Sequence, residues 1–477
     1  MVINRYEESQ IKNDKLPIEW QSQTCLDELE DFLQQNWEQR AVFYDDSKAD
    51  SRQQFLGFTG QRGIRTKNYI GTIVFKGDQL NIYPKVFRSE GDDQDINDLS
   101  QAHLMKNLVI WLEYCNRMAY PFINISTELN DAEDLKELFV SLYVGYVRHA
   151  IGRGLYYEYV EETDDISCIK GSFNVKDYFL NKVPNGQAEK FRCTYSDFVF
   201  DNGVNQIIKY TCKILLNNSS SRNQKAIRNI LIKLNEVEDI PCKPSDCDKI
   251  RLSKLQRHYR VIISMSKMFL LNKTSTFFVD MNESFCFLFP TELLFEGFVG
   301  GFIKELIGNI GGSVYLQKSD MSLIDEVHIG DKVYGGAFTM RHDILVELKG
   351  KSFILDTKYK QIERFDDDFE NARRVVTEEP NQTDVYQVCE YARKRGLSDV
   401  YLLYPQYRYE EPDNIKPMGI SSSYGNGRDI RIHFVRLPFV FEDNENMIKE
   451  RLKDTILDLI CSEYKEFAEG SEQESDT

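Results

Sequence analysis

The chain has 477 residues, 42% of them hydrophobic, and a formal charge of −17 at neutral pH. This length suggests two to four domains, and the apolar content excludes a disordered chain. The charge excludes tight binding of bare nucleic acid by the whole surface, and leaves a local basic cleft, a metal or a partner to bring an anionic substrate in.

Leu26, Leu29, Leu33 and Trp37 recur at helical spacing and predict a helix near the N-terminus. Before it, Met1–Leu16 is polar and lacks a signal-peptide core. From about Phe55 the pattern turns β-rich: Tyr69–Phe75 and Leu80–Tyr83 read as strands joined by a Gly77-Asp78 turn, with Pro84 closing the second. Ser89–Asp98 is acidic and reads as a loop. Helical periodicity returns over Leu104–Met118 and Leu135–Ile151, followed by strands at Tyr156–Val160 and Ile166–Val175. Asp201 is placed to cap a helix through Ile207, Ile208 and Leu215. Helices over Ala226–Val237 and Leu252–Leu271 follow. Further on, Glu292–Ile310 is an apolar helix, Val333–Lys360 reads as strands with a Lys349-Gly350-Lys351 turn, Thr383–Lys394 is a helix, and Val400–Tyr404 and Ile430–Val435 are strands. That order predicts a mixed α/β domain. The tail after Phe467 is acidic and expected to be disordered. No apolar run approaches the roughly 18 residues of a membrane span, so a cytoplasmic chain with no membrane contact is expected. The ten cysteines lack a pairing rhythm; Cys242 and Cys247 are the closest pair, with no second pair at zinc spacing, which predicts free thiols.

The chemistry concentrates in Arg341-His342-Asp343-Ile344-Leu345-Val346-Glu347 and, after the turn, Phe353-Ile354-Leu355-Asp356-Thr357-Lys358-Tyr359-Lys360. Side chains alternate along a strand, so Asp356 and Lys358 share a face. The turn makes the two strands antiparallel neighbours and sets Asp343 beside Asp356. Two carboxylates and one ammonium on one face suit phosphodiester hydrolysis. Carboxylates hold Mg²⁺, which neutralises charge in the transition state and acidifies a bound water, and a lysine stabilises developing charge. Asp-x-Lys alone is common on solvated strand faces. The preceding Phe-Ile-Leu run sets this acid apart, because it puts Asp356 at the end of a core strand, where a charge needs a reason. Glu296, in an apolar helical segment, reads as a further metal-binding acid or as a helix-surface acid. Gln387 and Tyr391, four apart, read as a functional helix face or as ordinary amphipathicity. Lys349, Lys351, Lys360, Arg373 and Arg374 read as phosphate contacts or as solvated surface charge.

Together these residues resemble the PD-(D/E)XK nuclease superfamily, whose core is a helix with an acid, an Asp on one strand, (D/E)-x-K on the next, and a helix bearing Gln. His342 departs from the pattern by standing where the superfamily often has proline. The chain is more closely similar to the McrC family, the nuclease subunit of modification-dependent restriction systems. The shared segments are Tyr69-Ile70-Gly71-Thr72-Ile73, Ile82-Tyr83-Pro84-Lys85, Leu108-Val109-Ile110-Trp111-Leu112-Glu113-Tyr114, Gly154-Leu155-Tyr156, Ile169-Lys170-Gly171-Ser172-Phe173, Asn205-Gln206-Ile207-Ile208-Lys209, Leu294-Phe295-Glu296, Ile354 to Lys360, and Asp384-Val385-Tyr386-Gln387.

The resemblance implies a McrB-like AAA+ GTPase ring as partner, docked on the N-terminal part, and double-stranded, modified DNA as substrate. It implies catalysis by Asp343, Asp356, Lys358, Glu296 and Gln387, with Mg²⁺ on Asp343, Asp356 and Glu296. The expected organisation is a β-rich docking lobe over 1–100, a mostly helical docking region over 101–279, a PD-(D/E)XK endonuclease domain over 280–465 and a tail over 466–477. No Gly-x-x-x-x-Gly-Lys-Ser/Thr loop occurs, so the chain itself is not expected to be the GTPase. Two other readings stay open on the sequence: another DNA-processing nuclease of the superfamily, and a non-cleaving adaptor that only activates a partner NTPase.

Overall fold

The structure is a computed structural model that describes residues 1–38, 52–59, 63–88, 101–115, 135–217, 219–253, 256, 258–274, 284–361, 382–408, 418–424, 428–441 and 445–460. Its contacts group the chain into two compact units: Met1–Asp134 together with Cys286–Thr477, and Leu135–Phe285 between them in sequence. The first unit opens with strand Val2–Tyr6 (β1), helix Gln23–Glu38 (α1), strands Tyr69–Phe75 (β2) and Asp78–Tyr83 (β3), and helix Gln101–Tyr114 (α2). The second contains helix Leu135–Arg153 (α3), strands Glu158–Ile166 (β4) and Phe191–Val199 (β5), and helices Gly203–Leu216 (α4), Ser221–Lys233 (α5) and Tyr259–Thr274 (α6). Strand Ser284–Pro290 (β6) and helix Thr291–Asn309 (α7) lead back into the first unit. There follow strands Ser313–Ile324 (β7), Ala337–Leu348 (β8) and Lys351–Thr357 (β9), helix Gln382–Arg395 (α8), strands Asp399–Pro405 (β10), Met418–Tyr424 (β11) and Arg428–Leu437 (β12), and helix Glu445–Ile460 (α9).

The mixed α/β class expected from the sequence is what the structure shows. The two units meet at 134/135 and 285/286, and strands from both ends of the chain share one sheet. That sheet runs β1-β3-β2-β6, with β1 parallel to β3 and β2 antiparallel to it. Leu26, Leu29, Leu33 and Trp37 of α1 pack on Ile73, Phe75, Leu80 and Ile82 of the sheet, which is why they recur at helical spacing. Met1–Leu16, polar in composition, contributes β1 and the buried side chains Ile3, Tyr6, Ile11 and Leu16. Farther along, Trp111 of α2 stacks on Phe439 with ring centroids 4.1 Å apart and donates to its carbonyl oxygen. Asn107, one turn earlier, bonds both backbone groups of Phe441.

The larger sheet has the order β7-β8-β9-β10-β12-β11, antiparallel at its flanks and parallel across β9, β10 and β12. One face packs Leu345, Ile354, Val400, Leu402, Ile432 and Phe434 against Val388, Cys389 and Ala392 of α8. Helix α7 contacts β7, β8 and β9, and its Gly300 approaches Leu316 and Ile344. Ile344 and Leu345 are consecutive and face opposite ways, so helices cover both sides of the strand pair that carries the acids. The β8–β9 turn is tight: Lys349 and Gly350 both have positive φ, 48° and 78°, as a two-residue hairpin requires.

Within the second unit, α4 is capped by Asn202, which accepts from the Asn205 backbone N–H, and not by Asp201. Asp201 instead accepts from Gln206 and the Glu238 backbone. Two polar residues of the Asn205–Lys209 segment have structural tasks: Asn205 donates to the carbonyls of Tyr156 and Phe200, and Lys209 to that of Val237. The strand expected over Ile166–Val175 shrinks to Ser172–Phe173, because Gly171 turns the chain with φ +69°. The expected loop at Ser89–Asp98 and the tail after Phe467 lie outside the described residues.

Gly71 is where β6 comes closest to β2. Its φ is +137°, and a Cβ there would lie 2.0 Å from the Phe287 carbonyl oxygen. Gly71→Ala is therefore expected to cost on the order of 3 kcal/mol, through backbone strain plus the clash. A thermal melt of the full chain checks this; an unchanged melting temperature would show that the sheet relaxes without loss.

Candidate active site

The parallel strands β9, β10 and β12 end on the same side of the sheet, and in such sheets ligands gather beyond the carboxyl ends. Asp356 is the penultimate residue of β9 and only 1% exposed. Its Oδ2 is buried and forms an ion pair with Lys358 Nζ, 2.5 Å away. Burial pushes the Asp356 carboxyl up to about 7; the neighbouring Asp343 adds to that rise and Lys358 opposes it. For Lys358 burial works to lower the pKa, but Asp356, Asp384 and Asp343 outweigh it and hold the ammonium above its ordinary value. The alternation argument for Asp356 and Lys358 thus ends in a real contact.

Asp343 is set by the β8–β9 register. Ile344 faces Leu355, so the next step along the ladder puts Asp343 beside the Asp356–Thr357 end. Its Oδ2 accepts from both the backbone N–H and the hydroxyl of Thr357, each at 3.0 Å. Its Oδ1 accepts from Gln317 Nε2 at 3.0 Å, and the same amide donates to Glu296 of α7. Glu296 therefore reaches Asp343 through Gln317. Gln317 has φ +53° and lies just before β7 slips register between Lys318 and Met321; hydrophobic periodicity marks neither feature, and the sequence reading missed the residue.

Asp384 was also missed as a site residue, although it opens the Asp384-Val385-Tyr386-Gln387 segment. It is buried in the first turn of α8, 2.8 Å from Lys360 Nζ and 3.8 Å from Lys358 Nζ. Lys360, read as a phosphate contact or a surface charge, is thereby in an ion pair. Gln387 donates to the Tyr391 hydroxyl, which donates to the Arg341 carbonyl oxygen and so supports β8 just before Asp343. His342 is fully buried, accepts from Arg395 at Nε2, and has its pKa pushed down to about 4 by burial and by that guanidinium. A neutral imidazole fills the place where the resemblance led one to look for proline. Arg373 and Arg374 lie outside the described residues.

Among the described residues no three His, Cys, Asp or Glu side chains converge tightly enough to form a metal cluster of their own. Mg²⁺ does not need one: one or two carboxylates plus water and substrate phosphate satisfy it. Asp343 and Asp356 are such a pair: they are neighbours across the β8–β9 ladder, and Asp343 raises the Asp356 pKa against the single Lys358 ammonium that opposes it. The residues present fit the metal. Elsewhere, the second unit has a cavity of about 530 Å³ lined by Tyr156, Tyr157, Phe198 and Tyr259 with Arg153 and Arg251; among the described residues its lining has one carboxylate, Glu158. Among the described residues no helix is long and apolar enough to cross a membrane.

Residues 64–405 match a family described as McrBC 5-methylcytosine restriction system component. Among solved structures, a chain of the refined half-complex from a tetradecameric assembly of Thermococcus gammatolerans McrB AAA+ hexamers with bound McrC is similar at 15% identity. The TM-score is 0.63, with 96% of this chain and 100% of that one covered. A chain of the cryo-EM structure of the Thermococcus gammatolerans McrBC complex matches at 16% identity and TM-score 0.48, covering 64% of this chain and 88% of that one. No curated protein matches the chain.

The raised pKa of Asp356 has a consequence for stability. The unfolded carboxyl ionises near ~3.9, while the folded one keeps its proton to about 7. Folding then binds a proton within that window, so stability declines as pH rises from about 4 to about 7 and stays lower above it. Asp356→Asn removes the liability. In EDTA at pH 8 the variant is expected to melt a few degrees above the parent, and the advantage should vanish near pH 4. Mn²⁺ should raise the parent's melting temperature and leave the variant's unmoved. A variant that melts below the parent in EDTA at pH 8 would contradict the assignment.

Proposed function

The chain belongs to the family of McrBC 5-methylcytosine restriction system components, and from that premise we propose that it is the DNA-cutting subunit, a metal-dependent endodeoxyribonuclease of the PD-(D/E)XK kind. The observation that carries the reading is a buried carboxylate, Asp356, beside a second carboxylate, Asp343, and ion-paired with the Lys358 ammonium at the end of a core strand. Burying that charge is costly, and a structural role would be served more cheaply by an apolar residue.

Asp343 and Asp356 would hold Mg²⁺, with Glu296 reaching the same place by way of Gln317. When bound, the ion supplies neutralisation of phosphate charge and a more acidic water. The chain's own groups do the rest. Thr357 fixes the Asp343 carboxylate with two hydrogen bonds, so its free lone pairs point in a set direction. Lys358 presents a permanent positive charge from the same face and donates to a scissile phosphate oxygen, stabilising the charge that develops there. Asp384 holds Lys360 and flanks Lys358, which keeps two long side chains from wandering.

The partner that fits is a McrB-like AAA+ GTPase ring. The similar chain of known structure comes from an assembly of McrB AAA+ hexamers with bound McrC. The charge of −17 also favours a nuclease that is delivered to DNA over one that finds it alone. Double-stranded DNA carrying modified cytosine is the substrate the family description supports.

Cleavage by the full chain with the ring partner, GTP and Mg²⁺ is expected to fall at least about 100-fold in Asp356→Asn and in Lys358→Ala, a loss of roughly 2.7 kcal/mol or more in transition-state stabilisation. Stimulation of the partner's GTPase, read in the same mixtures, should survive both changes. Cleavage at the parental rate by Asp356→Asn would remove the site from this role.

A further inference from the structure

The most completely enclosed carboxylate outside the site is Glu7, just beyond β1. It is 0% exposed, and its carboxylate accepts hydrogen bonds from residues distant in sequence. Oε1 accepts from the Lys85 backbone N–H at 2.9 Å and from the Tyr359 hydroxyl at 2.7 Å. Oε2 accepts from the Thr291 hydroxyl at 2.6 Å. Burial pushes the Glu7 carboxyl up, against the lowering effect of the Lys85 ammonium and of these bonds.

The partners fall on the two elements that carry the candidate catalytic groups. Thr291 is the first residue of α7, the helix that bears Glu296 five residues later, and its backbone N–H is tied to the Asn68 carbonyl. A carboxylate at that helix start also meets the positive end of the helix dipole. Tyr359 directly follows Lys358, and its ring is covered by the Lys85 ammonium, 5.1 Å from the centroid. Glu7 itself is anchored from behind: Arg88 donates to its carbonyl oxygen and to the Ser9 hydroxyl, and lies over the Tyr6 ring.

We propose that Glu7 is a positioning residue for cleavage, its single carboxylate fastening the start of α7 and the Tyr359 side chain to one point and so fixing Glu296 relative to the Asp356–Lys358 pair. The inference rests on the nuclease reading of those residues. The effect works through hydrogen bonds. Glutamine can keep them all: its oxygen faces Lys85 and Tyr359, and its amide faces Thr291, whose hydroxyl proton can turn to the Asn68 carbonyl oxygen 2.9 Å away. Alanine loses all three. Misplacement of reacting groups by about 1 Å costs on the order of 100-fold in rate.

The test uses the full chain with its ring partner, GTP, Mg²⁺ and modified DNA. Glu7→Ala and Tyr359→Phe are each expected to lower kcat about 10- to 100-fold, with KM for DNA and GTPase stimulation within about twofold. Glu7→Gln should stay within about threefold of the parent. The double variant Glu7→Ala/Tyr359→Phe should lose little more than the worse single change, because both remove the same bond. Tyr359→Phe, which deletes only a hydroxyl, serves should Glu7→Ala fail to fold. Hydrogen exchange of the peptides around residues 288–300 and 351–361 is read in parallel and should rise in Glu7→Ala and not in Glu7→Gln. A cutting parent whose Glu7→Ala variant cuts within twofold overturns the proposal, as do additive losses or an equal fall in GTPase stimulation. A parent that does not cut refutes the nuclease reading instead. The exchange data then decide the fastening separately, and unchanged exchange in Glu7→Ala refutes it.

Discussion

A carboxylate inside a protein is tolerable only when something answers its charge, and Asp356 is answered incompletely. Lys358 pairs with it, but Asp343 stands close enough to raise its pKa further. The arrangement around it follows from that constraint. Thr357 turns the Asp343 carboxylate by two hydrogen bonds, Gln317 spreads one amide over Asp343 and Glu296, and Asp384 steadies the lysines. The sheet supplies the rigidity. Ile354 and Leu355 are fully buried on opposite faces, so the strand that ends in Asp356 cannot rotate to relieve it.

Function and stability pull in opposite directions at this point, as expected where chemistry is stored as strain or unmet polarity. The surrounding interactions compensate. Trp111 against Phe439, Asn107 on Phe441, and Glu7 between Lys85, Thr291 and Tyr359 bind segments hundreds of residues apart into one body. None of these contacts touches Asp343 or Asp356 directly.

What was legible in the sequence follows from the range of the forces involved. Asp356 and Lys358 share a face because a strand alternates, and Asp343 joins them because a two-residue hairpin fixes the register; both are local rules. The helix of Leu26, Leu29, Leu33 and Trp37 was legible for the same reason. Strand β1 was not: Asn4 and Arg5 interrupt its apolar pattern, and its partner β3 lies more than seventy residues away. Gln317 adopts a positive φ that no periodicity announces. Asp201 reads as the cap from the sequence, and only the geometry at Asn205 gives that place to Asn202. The division into units escaped for a related reason, since nothing local in β2 says that its neighbour is β6.

That sheet has a consequence for synthesis of the chain. Strand β2 waits for β6, whose residues leave the ribosome roughly two hundred positions later; at about 5–20 residues per second that delay is on the order of ten to forty seconds. Meanwhile β2 presents an open edge, with unpaired backbone groups that invite pairing with other chains. The intervening unit, Leu135–Phe285, is contiguous and can fold as it emerges. Nascent chains of this protein therefore pass through a long interval in which the middle is folded and the beginning is unfinished, and that interval is when chaperones matter most.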